Sequence, residues 1–177
     1  MLTDRNIVYY LASAGLFVLL KFGFAHACND DLIFLLKPAD ELFSLLSGSP
    51  WVYLTDKGFY HENLNIVLDK SCSGFNFWML SFLVFIHLAL RYLHKPLHKI
   101  LAVPSVLTAT YLLVIFVNAF RILAAVTVQK QAQNFLPGYQ QVLHEAVGII
   151  TNLSFLVLTY YYTEKYLTKR VYHAKPS

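Results

Sequence analysis

Three short motifs carry side chains whose types suit acyl-transfer chemistry. They are Ser-Cys-Ser-Gly at 71–74, Asn-x-x-Arg at 118–121 and His-x-x-x-Gly at 144–148. A cysteine thiolate is a strong nucleophile, a histidine accepts its proton, and an arginine stabilises the oxyanion that forms on the attacked carbonyl. The sequence therefore predicts Cys72, Arg121 and His144 as catalytic residues if the fold brings them together. Four neighbours in the same motifs are predicted to support them: Ser73, Gly74, Asn118 and Gly148.

Four long apolar runs must position these motifs. The 177 residues are 57% hydrophobic and 14% charged, whereas an average soluble domain is about 25% charged. Bilayer-spanning helices need about 17–25 apolar residues. The sequence predicts one integral membrane domain over 1–177, an all-α polytopic bundle of about four to six helices. The predicted spans are 7–24, 75–91, 100–120 and 146–163.

The first run also has some features of a signal peptide. Ala25-x-Ala27 is a conceivable cleavage site, and Cys28 is a conceivable lipidation residue. The apolar stretch is longer than a usual signal-peptide core, and three more spans follow it. An uncleaved first helix is therefore the expectation, with cleavage as the alternative.

The distribution of Lys and Arg predicts the orientation of the chain in the membrane. With the N-terminus inside, the inner segments hold eight of the 14 basic residues: Arg5, Arg91, Lys95, Lys99, Lys165, Lys169, Arg170 and Lys175. The net charge of +4 is explained by the inner membrane surface and its lipids rather than by nucleic acid. We expect a multi-pass protein of the inner (cytoplasmic) membrane, N-in and C-in. All three motifs then meet at the extracytoplasmic face.

The outer loop, residues 25–72, is predicted to contain some structure of its own. The segment from Asp31 to Ser47 is interrupted at Pro38, and the part after the proline predicts an amphipathic helix on the membrane interface. Aromatic and β-branched residues on both sides of Asp56-Lys-Gly58 predict a small hairpin before Cys72. The edge of such a hairpin would be able to accept an extended peptide.

Each candidate residue also has a structural alternative. Cys72 precedes a helix, whose dipole favours the thiolate, but a lone buried cysteine is commonly structural. Arg121 and His144 suit an interfacial role equally well. A disulfide between Cys28 and Cys72 remains an alternative in an oxidising compartment. His26 and His61 show no zinc-type spacing with His144. Acyl transfer by a thiol, an arginine and a histidine requires neither a metal nor an organic cofactor, so none is expected.

The three motifs together resemble the signature of the exosortase/archaeosortase family. The residues that carry the likeness are Cys72 in Ser-Cys-Ser-Gly, Arg121 in Asn-Ala-Phe-Arg and His144 in His-Glu-Ala-Val-Gly. Their order and their positions relative to the apolar runs are similar too, over about 69–148. The resemblance implies a membrane cysteine transpeptidase. Its substrates would be surface-destined proteins with a C-terminal sorting signal, consisting of a motif (PEP-CTERM type in bacteria), a transmembrane helix and a basic tail. The enzyme would cleave near the motif and pass the protein to a surface acceptor.

Two departures from the family pattern stand out. Many relatives have Glu-Ala before the cysteine, where this chain has Lys70-Ser71 with Asp69 one place earlier. The acidic role near the thiol is therefore open, and Lys70 is an alternative means of lowering the thiol pKa. Many relatives are also longer, with more spans.

Two other functions compete with this one. A non-catalytic assembly or lipid-headgroup-binding subunit of a polysaccharide or protein export system would use Arg121 and His144 but not the thiol. A different membrane acyltransferase or protease would use the same Cys–His pair on a lipid. The sequence favours the transpeptidase, because a headgroup binder has no need of Cys72. The oligomeric state is not predictable from one chain.

Overall fold

The computed structural model describes residues 6–132 and 138–173, and most of these are helical. Five α-helices occur in chain order: α1 (Ile7–His26), α2 (Ile33–Ser47), α3 (Phe75–Tyr92), α4 (Pro96–Ala132) and α5 (Gln140–His173). Three strands separate α2 from α3: β1 (Val52–Leu54), β2 (Gly58–His61) and β3 (Ile66–Leu68). The predicted helical fold is confirmed, with a small sheet in the loop before Cys72.

Within residues 6–132 and 138–173, four helices are long and apolar enough to cross a membrane. These candidate spans are Ile7–His26, Lys70–Tyr92, Pro96–Ala132 and Val142–Lys169, and each contains one of the four predicted runs. Large apolar side chains on α1 and α5 are exposed on the isolated chain, such as Leu19 at 71% and Val157 at 64%. Contact of such surfaces with lipid is favourable, whereas their exposure to water is unfavourable.

Two of the motifs lie inside long helices that extend beyond the predicted spans 100–120 and 146–163. The 37 residues of α4 extend over about 55 Å, far more than the roughly 30 Å of a bilayer core. Arg121 therefore has three further helical turns after it, and His144 lies just beyond the first turn of α5. The end of an apolar run does not end a helix, because polar residues such as Lys130 continue the same backbone hydrogen bonds.

The predicted break at Pro38 is wrong. Pro38 lies within α2, which continues from Ile33 to Ser47. A proline inside a helix removes one backbone hydrogen bond. The helix also buries an apolar face consisting of Leu35, Leu36, Ala39 and Phe43, and this burial favours the continuous helix over a broken one.

The predicted hairpin is confirmed and is larger than expected. β1 pairs with β2 in antiparallel register, with Tyr53 opposite Phe59. The turn between them places Asp56 at φ 65° and Gly58 at φ 107°. β2 then pairs with β3, with Tyr60 opposite Val67, so that the sheet order is β1-β2-β3.

A buried Asp–His pair links α2 to the sheet. His61 Nε2 and Asp40 Oδ1 are 2.6 Å apart, and both residues are 0% exposed. The Phe43 ring packs edge-on against the His61 ring, with centroids 5.0 Å apart. Burial raises the pKa of the Asp40 carboxyl, because removal from water penalises its charged form. The pair therefore fixes α2 on one face of the sheet.

The chain divides into two compact units. Among the described residues, the first consists of 6–25, 76–112 and 156–173, and the second of 26–75, 113–132 and 138–155. The first unit has a core of Phe82, Ile86, Leu90 and Ala102. The second unit contains α2, the sheet and all three motifs.

Candidate active site

Cys72 ends a tight turn that Asp69 shapes. Residues Lys70–Cys72 form a single 3₁₀ turn between β3 and α3. The Asp69 carboxylate accepts the Ser71 N–H at 2.9 Å and the Ser71 hydroxyl at 2.6 Å. The Cys72 N–H donates to the Asp69 carbonyl at 2.9 Å. Asp69 is thus the cap of the turn that carries the thiol, a role the sequence left open.

The thiol itself is largely enclosed. Cys72 is 8% exposed, and its sulfur lies 3.8 Å from the Ser71 hydroxyl. Ser71 thereby links the Asp69 carboxylate to the sulfur. Because sulfur is a weak hydrogen-bond partner, this contact orients the thiol more than it alters its chemistry.

Gly74 allows the turn to approach α4 closely. Its φ is +72°, a conformation that side chains rarely adopt. A Cβ at this position would lie 2.9 Å from Val114 Cγ2 and 3.1 Å from Asn118 Cγ. Only glycine fits at position 74, so the close packing against α4 explains why the motif has a glycine there.

Asn118 anchors the cysteine segment to α4. Its Nδ2 donates to the Cys72 carbonyl at 2.6 Å, and the residue is 2% exposed. Its Oδ1 is buried and has no partner among the described residues. The first residue of the Asn-x-x-Arg motif therefore fixes the backbone of the predicted nucleophile.

Arg121 lies one turn along α4 from Asn118, against α5. A Cβ at Gly148 would lie 3.6 Å from Arg121 Cδ, so the arginine stem passes beside this glycine. Gly148 is buried and Arg121 is half-buried. Arg121, which ends the second motif, thus lies beside Gly148, which ends the third.

His144 is one turn before Gly148 and half-buried. The Arg121 guanidinium interacts electrostatically with the Cys72 thiol and with the His144 imidazole. No hydrogen bond joins the side chains of Cys72, Arg121 and His144 in the described part of the chain. Such bonds are often long without substrate and tighten only in the reacting complex. The three motifs lie within one compact unit of the chain.

The remaining candidates have other partners. Both cysteines are free thiols, with Cys28 exposed and Cys72 buried. The Cys28 sulfur lies 3.1 Å from Asp31 Oδ2. Lys70 Nζ donates to the Ala27 carbonyl at 2.7 Å, so this lysine connects the cysteine turn to the segment after α1. Such a bond gives Lys70 a structural role beside the thiol.

His61 of the outer loop has a buried carboxylate as its partner. Over 6–132 and 138–173, no group of three or more His, Cys, Asp or Glu side chains is placed to hold a metal ion. His61 is bonded to Asp40 instead. No local sequence pattern marks this pair, because its members are 21 positions apart and belong to different elements.

No family model, curated protein or solved structure matches this chain.

Proposed function

We propose that the protein is a membrane-embedded cysteine transpeptidase or protease in which Cys72 is the nucleophile. One observation carries the proposal. The Cys72 carbonyl is bonded to Asn118, Arg121 follows one turn later, and Arg121 in turn lies against the helix that presents His144. A headgroup site would need the two basic residues but not a thiol fixed beside them.

The chemistry follows from the three side chains. His144 takes the proton from Cys72 Sγ, and the thiolate attacks the carbonyl carbon of the scissile peptide bond. The Arg121 guanidinium stabilises the negative charge on the carbonyl oxygen, a type of interaction worth about 3–4 kcal/mol in other enzymes. The amine leaves with the proton from His144, which gives a Cys72 thioester. An acceptor amine, a hydroxyl or water then attacks the thioester, and the thiol is regenerated.

The resemblance to the exosortase/archaeosortase signature indicates the substrate class. The substrate would be a surface-destined protein with a C-terminal sorting signal, and Cys72 would act on the outer side of the membrane with both termini inside. The half-buried position of Arg121 and the enclosed thiol support such a role, because a partly dry site strengthens charge stabilisation.

Replacement of Cys72 tests this function directly. In the native host, Cys72→Ala should reduce processing by at least a thousandfold, an approximate figure for loss of a nucleophile. A membrane precursor that retains its C-terminal helix should accumulate. Cys28→Ala is the matched control, and it should process normally. Arg121→Ala and His144→Ala should accumulate the same precursor.

A different result would identify the competing function. If Cys72→Ala folds, inserts and shows no precursor while Arg121→Ala disrupts the cell surface, the thiol is not a nucleophile. The lipid-headgroup or assembly role would then replace the transpeptidase.

A further inference from the structure

The small sheet ends in an edge strand that runs directly into the cysteine turn. In the order β1-β2-β3, β3 pairs with β2 on one side, and no strand of the described residues pairs with its other side. β3 ends at Leu68, and the turn that carries Cys72 begins at Lys70. The free edge of this sheet and the nucleophile are therefore four residues apart.

The direction of the β3 peptide groups follows from the packing at Gly58. A side chain at Gly58 on β2 would collide with the Leu68 carbonyl, so this carbonyl points towards β2. In an antiparallel sheet the N–H and C=O of one residue point to the same side, and consecutive residues alternate. Val67 therefore directs its N–H and C=O away from β2, to the free edge. Asp69 is also extended, at φ −114° and ψ −169°, which directs its N–H to the same edge.

The two faces of the sheet differ in burial. Phe59, His61 and Leu68 are buried on the face that carries the contacts with α2. The opposite face is apolar and exposed, with Val52 at 62%, Val67 at 42% and Leu54 at 36%. A further strand beside β3 would extend this exposed face and would satisfy the free backbone groups.

We propose that β3 is the substrate-docking strand: an extended segment of the polypeptide substrate pairs with Val67 and Asp69 as a fourth strand and is thereby delivered to Cys72. This inference rests on the proposed function and names how its substrate binds. Strand addition takes affinity from main-chain hydrogen bonds and therefore tolerates varied side chains.

The position of β3 distinguishes it from the other edge of the sheet. Cys72 follows Val67 by five residues, and three of these form a compact 3₁₀ turn. The distance from the pairing site to the thiol therefore corresponds to about three to five residues of an extended peptide. A peptide paired with β1 would lie about 10 Å farther from the cysteine turn, because β1 is two strands away from β3. The paired segment should therefore begin about three residues from the cleaved bond.

A proline scan of the substrate tests the pairing. The probe is the membrane precursor that accumulates in the Cys72→Ala strain. Single prolines are placed from three residues outward from the cleaved bond, where they do not touch the reacting carbonyl. The backbone N–H groups of a paired strand point alternately towards and away from β3, and a proline removes one of them. Prolines at every second position should therefore reduce processing about tenfold, and prolines at the positions between them should reduce it much less.

Cross-linking and one matched pair of variants test the protein side. A photo-reactive residue in place of Val67, in the Cys72→Ala background, should capture the precursor, whereas one in place of Val52 on the opposite edge should not. Val67→Pro removes the outward N–H and should weaken capture by a neighbouring probe at Asn65. Val67→Ala keeps that N–H and should retain the capture.

The outcomes separate the two proposals. Alternating proline effects with capture from position 67 support strand docking. If a precursor accumulates but the prolines act uniformly and position 67 captures nothing, strand docking is wrong and the transpeptidase stands. If no precursor accumulates in the Cys72→Ala strain, the proposed function fails, and strand docking fails with it.

Discussion

At the scale of single residues, the cysteine segment is positioned by Asn118. Its side chain bonds the Cys72 carbonyl, while Gly74 permits the close approach to α4 that this bond requires. The asparagine does not touch the thiol. It is a positioning residue, and its loss should alter where the sulfur lies rather than the chemistry that the sulfur performs.

Asn118→Leu should therefore impair processing strongly. The substitution leaves a buried carbonyl without its donor, which costs about 1–3 kcal/mol of stability, and a displaced thiol reduces the rate of reaction by about a hundredfold. The measurement is single-turnover conversion of the precursor, which should slow while precursor binding is retained.

Thr110→Val is the matched control for Asn118→Leu. Thr110 is also buried on α4, but the bonds of its hydroxyl to the described residues are to carbonyls of the same helix, Val106 and Leu107. It should convert the precursor at nearly the normal rate. Equal rates for the two variants would show that Asn118 has no positioning role.

The sequence predicted the three motif residues and named Gly74 and Asn118 among their supports, but it did not predict the contacts that these supports make. Cysteine, arginine and histidine are recognisable from their types and from the spans between them. The roles of Asp69 and Ser71 depend on a turn only three residues long, and no periodic pattern marks such a turn. The partner of Asn118 is 46 positions away, a distance that local sequence patterns do not bridge.

At the scale of elements, the sheet and α2 form one small module before the cysteine. The hairpin was predictable because Asp-Lys-Gly supplies the positive φ angles of its turn. β3 was not, because three residues are too short to show an alternating pattern. The continuity of α2 through Pro38 depends on burial against the sheet, which is a tertiary effect.

The Asp40–His61 pair should be essential to this module. His61→Ala leaves the Asp40 carboxyl buried without its partner, and breaking such pairs costs about 3–5 kcal/mol. Amide hydrogen exchange of β2 and β3 in detergent should become much faster. Glu62→Ala, one residue on and exposed, should leave the exchange unchanged.

A double variant separates loss of the pair from loss of packing. The double variant Asp40→Leu with His61→Phe replaces both residues by apolar ones and leaves no unpaired buried carboxyl. It should recover much of the protection of β2 and β3 against hydrogen exchange. If His61→Ala alone left exchange of the sheet unaltered, the pair would not be what joins α2 to the sheet.

At the scale of the whole molecule, the positions and lengths of the four apolar runs are the most predictable property of this chain. Each of the four predicted runs lies within a helix long and apolar enough to cross a membrane. The lengths of α4 and α5 were not predictable from hydropathy, because their polar ends continue as helix beyond the apolar residues. Arg121 and His144 are therefore held by rigid helices rather than by loops, which suits a site that must keep its geometry.

The central claim of the proposed function is that Cys72 is an activated nucleophile, reachable from the outer side of the membrane and dependent on His144. The most direct measurement is the rate at which a small membrane-impermeant alkylating reagent modifies Cys72 in intact cells, followed by mass spectrometry. Cys28 in the same chain serves as the exposed reference thiol. Despite its burial, Cys72 should react at least as fast as Cys28, and His144→Ala should slow Cys72 about tenfold or more without affecting Cys28. A Cys72 that reacts more slowly than Cys28, or at the same rate with and without His144, would contradict the account.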